Sequence, residues 1–190
     1  MRAPIGPFEQ ARPAADCLAD LTRPVAEALR GLHADDAAGA GEILYVDTDP
    51  AIADTAAFVA HYGPELLGQS ANCVVVAAKR GGETTLAACL VPSAGRIDVN
   101  GVVRRHLGAR KVSFAPMATA VELTGMEHGG ITPVGLPAEW PLLVDPAVAD
   151  MPYVLVGSGS RRGKLIAPGA FFARLPRAEP VEGLCAQDPA

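Results

Sequence analysis

Apolar residues recur along this chain with two different spacings, and the changes of spacing mark its predicted helices and strands. Between 18 and 32, leucine and valine recur every three or four positions, which predicts a helix, with Thr22 as its cap if it begins at Pro24. A second helix is predicted to begin at Asp49 and to run to about His61, because an Asp-Pro pair is a helix-starting signal.

The spacing changes to that of strands in the middle of the chain. Two apolar β-prone runs, 73–78 and 85–91, flank the polar, glycine-containing segment 79–83, and this arrangement predicts a β-hairpin. Asp98 is then predicted to cap a helix that ends at Gly108, since aspartate favours helix starts and glycine favours helix ends.

The remaining predicted elements are short and alternate in type. They are a strand at 111–114, a helix at 116–123, strands at 131–136, 142–144, 153–156 and 164–166, and a turn of helix at Phe171-Phe172. Strands interspersed with helices in this way predict an α+β (mixed α/β) fold.

The chain of 190 residues fits one domain, and no repeat or long linker divides it. We predict an N-terminal arm and helix packed on the domain (1–40), the domain itself (41–178) and a flexible tail (179–190). No apolar run is long enough to span a bilayer, and the first residues contain no apolar signal core, so no membrane association and a cytoplasmic location are predicted.

Charge is distributed unevenly along the chain. The net charge of −5 argues against a general nucleic-acid binder, but residues 79–111 contain seven basic and only two acidic residues. This basic segment is either a solvated surface or a track for a phosphate backbone. Its candidate phosphate-binding residues are Arg104, Arg105, Arg110 and Lys111.

Several kinds of site are absent from the sequence. The four cysteines and four histidines show no metal-ligand spacing, so no metal and no cofactor are predicted. No G-x-S-x-G motif is present. The segment 157–164 is not a phosphate-binding loop, because Ser158 and Leu165 stand where that motif needs glycine and a hydroxyl residue.

One segment is especially suited to binding a ligand through its backbone. The glycine loop, residues 124–135, contains four glycines and a proline between two apolar segments. Such a loop exposes backbone N–H groups at a fixed curvature, which suits a carbonyl, a phosphate or a developing oxyanion. His128 lies in this loop, next to Gly129 and Gly130, and its imidazole is either solvated or at the mouth of a pocket.

Four stretches in the second half of the chain carry a family resemblance, and the best marker among them is the G-x-x-x-P pattern from Gly129 to Pro133. The four stretches are 95–100, 107–115, 123–125 and 129–135. From about Ala53 to Phe172 the chain thereby resembles the YbaK/prolyl-tRNA-synthetase-associated domain family, which consists of aminoacyl-tRNA editing domains.

The resemblance implies a mixed, barrel-like β-sheet with surrounding helices. It also implies a freestanding deacylase that hydrolyses the ester bond of a mischarged tRNA and contributes to translation fidelity. The acceptor end of the mischarged tRNA is then the substrate, and an aminoacyl-tRNA synthetase is a further implied partner. The amino acid, the tRNA and the oligomeric state stay open.

The resemblance also assigns residues to a pocket. The catalytic set is Asn72 together with backbone donors at Gly129, Gly130, Ile131 and Thr132. The substrate-binding set is Pro133, His128, Asp145, Ser158 and Gly159. The basic residues 104, 105, 110 and 111 become candidates for tRNA binding.

One position departs from the family pattern. Asn72 stands where the family carries a lysine at the start of a strand, and asparagine donates hydrogen bonds but supplies no charge. Two hypotheses follow: a deacylase with altered chemistry, or a degenerate, non-catalytic member that binds an amino acid, a peptide or a tRNA end.

Overall fold

A computed structural model describes residues 1–34 and 43–186 of the chain. Its helices are α1 (Arg23–Ala34), α2 (Thr55–Tyr62), α3 (Arg104–His106), α4 (Met117–Thr124), α5 (Pro146–Ala149) and α6 (Gly169–Phe172). Its strands are β1 (Arg12–Pro13), β2 (Leu44–Asp47), β3 (Ala71–Arg80), β4 (Glu83–Pro92), β5 (Arg96–Ile97), β6 (Lys111–Phe114), β7 (Leu142–Val144), β8 (Val154–Gly157), β9 (Gly163–Ala167), β10 (Ala178–Pro180) and β11 (Cys185–Ala186).

Two sheets form the frame of the domain. One has the strand order β10-β7-β4-β3-β6, and the other has the order β1-β2-β9-β8. They meet at a single parallel bridge between Ser70 and Leu155, beside the start of β3. The mixed α+β prediction is confirmed, but the described strands form separate sheets joined at this corner and not a closed barrel.

The hairpin of β3 and β4 is the element that the sequence predicted best. Its ten paired positions run from Ala71–Pro92 to Arg80–Glu83. The turn consists of Gly81 and Gly82, whose φ angles of 58° and 90° lie in the region that glycine adopts without strain. The ten-residue β3 runs from the corner where the two sheets meet to Lys79 and Arg80 of the basic segment.

Two predicted helices differ from the structure at their starts. α1 begins only at Arg23, with Thr22 before it, and the buried Thr22 hydroxyl has no hydrogen-bond partner among the described residues. The second predicted helix is broken, because Asp49 caps a separate short turn at Pro50–Ile52 before α2 begins at Thr55. The capping signal was therefore correct, but the helix it starts is short.

The strand prediction over 131–136 is wrong. In the structure these residues are irregular, with Gly135 at φ 82° packed against the backbone of Pro24. Proline at 133 supplies no ladder hydrogen bond, so this apolar run packs as a loop.

Both ends of the described chain are part of the fold. In the predicted N-terminal arm, the Phe8 ring packs on Phe58 and Tyr62 of α2, with ring-centroid distances of 6.3 Å and 5.3 Å. The predicted flexible tail instead contributes β10 and β11, and Leu184 is fully buried. Residues 187–190 and the predicted boundary at 40/41 lie outside the described residues.

Candidate functional site

A cavity of about 340 Å³ lies where the two sheets meet. Its walls come from β3 of one sheet, from β8 and β9 of the other, and from α2, α4 and the glycine loop. Phe114 and Met117, which are at least half exposed, lie on its rim. Since a concave site between structural layers is the usual place for a ligand, this cavity is the candidate active site.

The glycine loop is fixed against a second glycine-containing segment, which we call the Ser-Gly loop (residues 157–163). The Glu127 N–H donates to the Gly159 carbonyl at 2.8 Å, and the Gly159 N–H donates to the Gly130 carbonyl at 2.8 Å. The Arg161 N–H also donates to the Glu127 carboxylate at 2.8 Å. These bonds hold the two loops as one rigid unit.

Close backbone contact between the loops requires glycine on both sides. A Cβ added at Gly130 would lie 2.5 Å from the Ser160 carbonyl oxygen, and one added at Gly157 would lie 2.6 Å from the Ile131 carbonyl oxygen. No side chain fits at either distance. The high glycine content of the two loops therefore has a packing reason in addition to any role in binding.

The Arg161 side chain braces the glycine loop from outside. Its guanidinium donates to the Pro50 carbonyl at 3.0 Å and to the His128 carbonyl at 3.4 Å. The carbonyl of His128 is thus fixed, while its side chain is exposed and lines the cavity.

Only part of the glycine loop faces the cavity. Gly129 and Ile131 line it, and no hydrogen bond of the described residues uses their N–H groups. The N–H groups of Gly130 and Thr132 are instead bonded to the Glu127 carbonyl and the Met126 sulfur, at 3.0 Å and 3.5 Å. Two backbone donors on cavity-lining residues of this loop therefore have no hydrogen-bond partner within the described residues.

Asn72 lies in the cavity with its side chain oriented by a neighbour. The Thr55 hydroxyl donates to Asn72 Oδ1 at 3.2 Å. The carboxamide NH₂ group is thereby left as the free donor of this side chain. The hydroxyl of Ser70, which also lines the cavity, is buried and has no hydrogen-bond partner among the described residues.

Lys164 is the cavity residue that sequence reasoning missed. It lies on β9, is 8 % exposed, and its ammonium donates to the Ala53 carbonyl at 3.4 Å and lies 5.2 Å from the centre of the Phe58 ring. Burial, with a smaller contribution from Arg161, lowers the pKa of Lys164 to about 8, and Asp54 opposes this shift. The signal in the sequence was a lysine inside the apolar run of a strand, where lysine is rarely buried without a reason.

The cavity offers no obvious nucleophile. Cys73 lines it, but desolvation and the neighbouring Cys89 raise the pKa of the Cys73 thiol, so the thiol stays protonated at neutral pH. Within residues 1–34 and 43–186, no group of three or more His, Cys, Asp or Glu side chains is placed to hold a metal ion. No helix in the same part of the chain is both long and apolar enough to cross a membrane.

Several predicted pocket residues lie outside the cavity lining. Pro133 faces a second cavity, beside Trp140, and the Thr132 residue of the glycine loop is fully buried. The Ser158 hydroxyl is also fully buried and donates to the Gly163 carbonyl at 2.8 Å. Together with Gly130 and Gly159, these residues form the frame of the cavity.

Asp145 is engaged in a structural role. One carboxylate oxygen accepts the Ala147 N–H at 2.9 Å and so caps α5, while the other accepts the Cys185 N–H at 2.8 Å. The residue is buried, and it does not line the cavity.

The predicted tRNA-binding residues lie together at the far end of the five-stranded sheet. Arg104 and Arg105 are on α3, and Lys111 begins β6 opposite Lys79 of β3. Arg105, Arg110 and Lys111 are exposed, and among the described residues none of the four predicted cations forms an ion pair. The opposite end of β6, at Phe114, reaches the cavity.

Comparison with solved structures shows the same fold in other proteins. A proposed trans-editing enzyme for prolyl-tRNA synthetase is 24 % identical, with a TM-score of 0.64 over 85 % of this chain and 97 % of its own. A scaffold used for epitope grafting by computational design is 20 % identical, with a TM-score of 0.65 over 89 % of this chain and 100 % of its own. A hypothetical protein is 21 % identical, with a TM-score of 0.58 over 72 % and 89 %.

The sequence itself matches a family model. The match covers residues 49–175, which include the cavity residues of β3, both glycine-containing loops and Lys164. This model describes the aminoacyl-tRNA editing domain, and the chain therefore belongs to the aminoacyl-tRNA editing domain family.

Proposed function

We propose that this editing domain acts in trans on mischarged tRNA and that the cavity between the two sheets holds the aminoacyl ester. The observation that carries the proposal is the pair of free N–H groups at Gly129 and Ile131, on a loop fixed by the Ser-Gly loop. Preorganised backbone donors of this kind stabilise negative charge that develops on a carbonyl oxygen.

The chemistry needs few groups because an aminoacyl ester is already activated. A water attacks the carbonyl carbon, the carbonyl oxygen takes the negative charge, and the carbon–oxygen bond to the ribose then breaks. The released ribose oxygen takes up the proton that the water loses, so the products are an amino acid and a tRNA with a free terminal hydroxyl. Two N–H donors and the carboxamide of Asn72 are sufficient to position these groups.

The basic segment suits the approach of the tRNA. From Lys111 to Phe114, β6 spans about 10 Å between the basic end of the sheet and the cavity rim. If the phosphate backbone of the tRNA binds at residues 104–111, the single-stranded end of the same tRNA lies near Phe114. Exposed aromatic rings such as this one stack on unpaired bases.

The proposal is tested by deacylation of a panel of mischarged tRNAs. We expect hydrolysis of at least one aminoacyl-tRNA above the uncatalysed rate, with correctly charged tRNA left intact. If no mischarged tRNA is hydrolysed although tRNA or an amino acid binds, the protein is a non-catalytic binding module.

A substitution in the glycine loop tests the location of the site. Gly129 has φ 80°, which strains any residue with a Cβ, and an added Cβ would lie 2.8 Å from the Arg161 guanidinium. Gly129→Val should therefore reduce kcat/KM by roughly a hundredfold or more, since a misplacement of about 1 Å costs that much. Gly68→Val is the matched control, because a Cβ there meets no atom within 4 Å. Wild-type rates for Gly129→Val would place the site elsewhere.

A further inference from the structure

Lys164 is a buried cation that forms no ion pair within residues 1–34 and 43–186. Among the described residues no carboxylate lies within ion-pair distance of its ammonium, whose contacts are a backbone carbonyl and an aromatic ring. A buried charge is costly unless it is compensated, so an unpaired ammonium in a cavity is suited to an anionic ligand group.

The strand register brings Lys164 near Asn72. Ser70 and Leu155 form a parallel bridge, and two residues further along each chain lie Asn72 and Gly157. Gly157 is paired directly with Lys164, and all three residues line the cavity. Alternate residues of a strand share a face, so the side chains of Asn72 on β3 and Lys164 on β9 enter the same space from the two strands on either side of β8.

We propose that Lys164 binds the oxyanion of the tetrahedral intermediate and so supplies, from β9, the positive charge that Asn72 on β3 does not. This inference rests on the proposed function. The ammonium donates a charge-assisted hydrogen bond and transfers no proton, while the Gly129 and Ile131 N–H groups donate to the same oxygen. Where the family pattern has a lysine at the position of Asn72, this chain thus has the positive charge at Lys164, on another strand of the same cavity.

The test moves the charge between the two strands. Single-turnover deacylation at saturating enzyme and the Kd for uncharged tRNA are measured for wild type, Lys164→Met, Asn72→Lys and the double variant. Methionine keeps the length and the apolar stem of lysine while removing the charge. Arg30→Met is the matched control, since Arg30 is an exposed cation on α1 that does not line the cavity.

The expected result is a specific pattern of rates. Lys164→Met should lower the rate constant roughly tenfold to a hundredfold with little change in Kd, because only the transition state carries the oxyanion. The double variant should recover at least a third of that loss on a logarithmic scale. Asn72→Lys alone should give no gain, because a second cation in the cavity disfavours the charge on the first.

Three results would overturn the inference about Lys164 without contradicting the proposed deacylase activity. One is an unchanged rate in Lys164→Met, and another is a raised Kd with an unchanged rate constant, which would assign the lysine to ground-state binding of a substrate charge. The third is a double variant no faster than a folded Lys164→Met. If wild type itself hydrolyses no mischarged tRNA, the proposed function fails first, and with it this inference.

Discussion

Lys164 and the cations of the basic segment carry the same charge in opposite surroundings. Lys164 is 8 % exposed in a cavity wall, whereas Arg105, Arg110 and Lys111 are exposed at the end of a sheet. A buried charge acts strongly over a short distance and is costly to the fold, while exposed charges act additively and are screened by salt. Under the proposed function, the exposed end of the domain attracts the substrate and the buried lysine stabilises the reaction.

The largest expected effect is on the pH dependence of the rate. The pKa of Lys164 is lowered to about 8, mainly by burial and further by Arg161, while Asp54 acts in the opposite direction. The ammonium is therefore present below pH 8 and lost above it. The ratio of the wild-type rate to the Lys164→Met rate should be roughly tenfold to a hundredfold at pH 7 and approach one by pH 10.

This ratio cancels the general rise of ester hydrolysis with pH, together with any other pH dependence that wild type and Lys164→Met share. A ratio that stays constant from pH 7 to pH 10 would show that the charge of Lys164 has no part in the reaction.

The next effect concerns salt. Reversing both Arg104 and Arg105 to glutamate should weaken tRNA binding roughly tenfold, and the magnitude of the slope of log K against log salt should fall by about 1.4 to 1.8 for two lost phosphate contacts. Lys164→Met should leave that slope unchanged, because the Lys164 ammonium is buried in the cavity and does not contact the phosphate backbone. Titrations of uncharged tRNA at several salt concentrations measure both slopes; equal slopes in wild type and the double arginine variant would leave these arginines as surface charge only.

The smallest expected effect is on stability. Because the pKa of Lys164 is lower in the folded than in the unfolded protein, the unfolded state binds more protons between pH 8 and 10.5, and stability should rise with pH over that range. Lys164→Met should stabilise the protein by about 1 kcal/mol at pH 7, with a smaller gain at pH 10.

Denaturant unfolding at the two pH values measures this gain, and Arg30→Met should change stability by less than about 0.5 kcal/mol as an exposed control. A destabilised Lys164→Met protein would mean that the contacts of the ammonium with Ala53 and Phe58 outweigh the cost of its burial.

The sequence predicted those features that depend on local signals. The Gly81-Gly82 turn, the β6 strand and the cap at Asp98 all follow from residues within a few positions of one another, and the structure confirms them. The family model also confirms the resemblance that the glycine loop suggested. Local chemistry was therefore enough for the hairpin, the strand and the cap, while the family came from the resemblance.

Features that depend on distant pairing were not predictable in the same way. Lys164 becomes a cavity residue only because β9 lies between β2 and β8, and no pattern near residue 164 reveals that order. The family resemblance placed Asp145 in the substrate-binding set, but one of its carboxylate oxygens accepts the N–H of Cys185, forty residues away. Which polar side chains remain free is thus decided by long-range contacts.

The aromatic contact between Phe8 and Phe58 has a consequence for how the site is inherited. Phe58, over which Lys164 lies, is braced by a residue before position 49, and Val46, the strand partner of Lys164, also lies before that position. The surroundings of the lysine thus include residues outside the shared family region. Transplanting a lysine alone into the corresponding strand of another editing domain would move the charge without the surroundings that hold it.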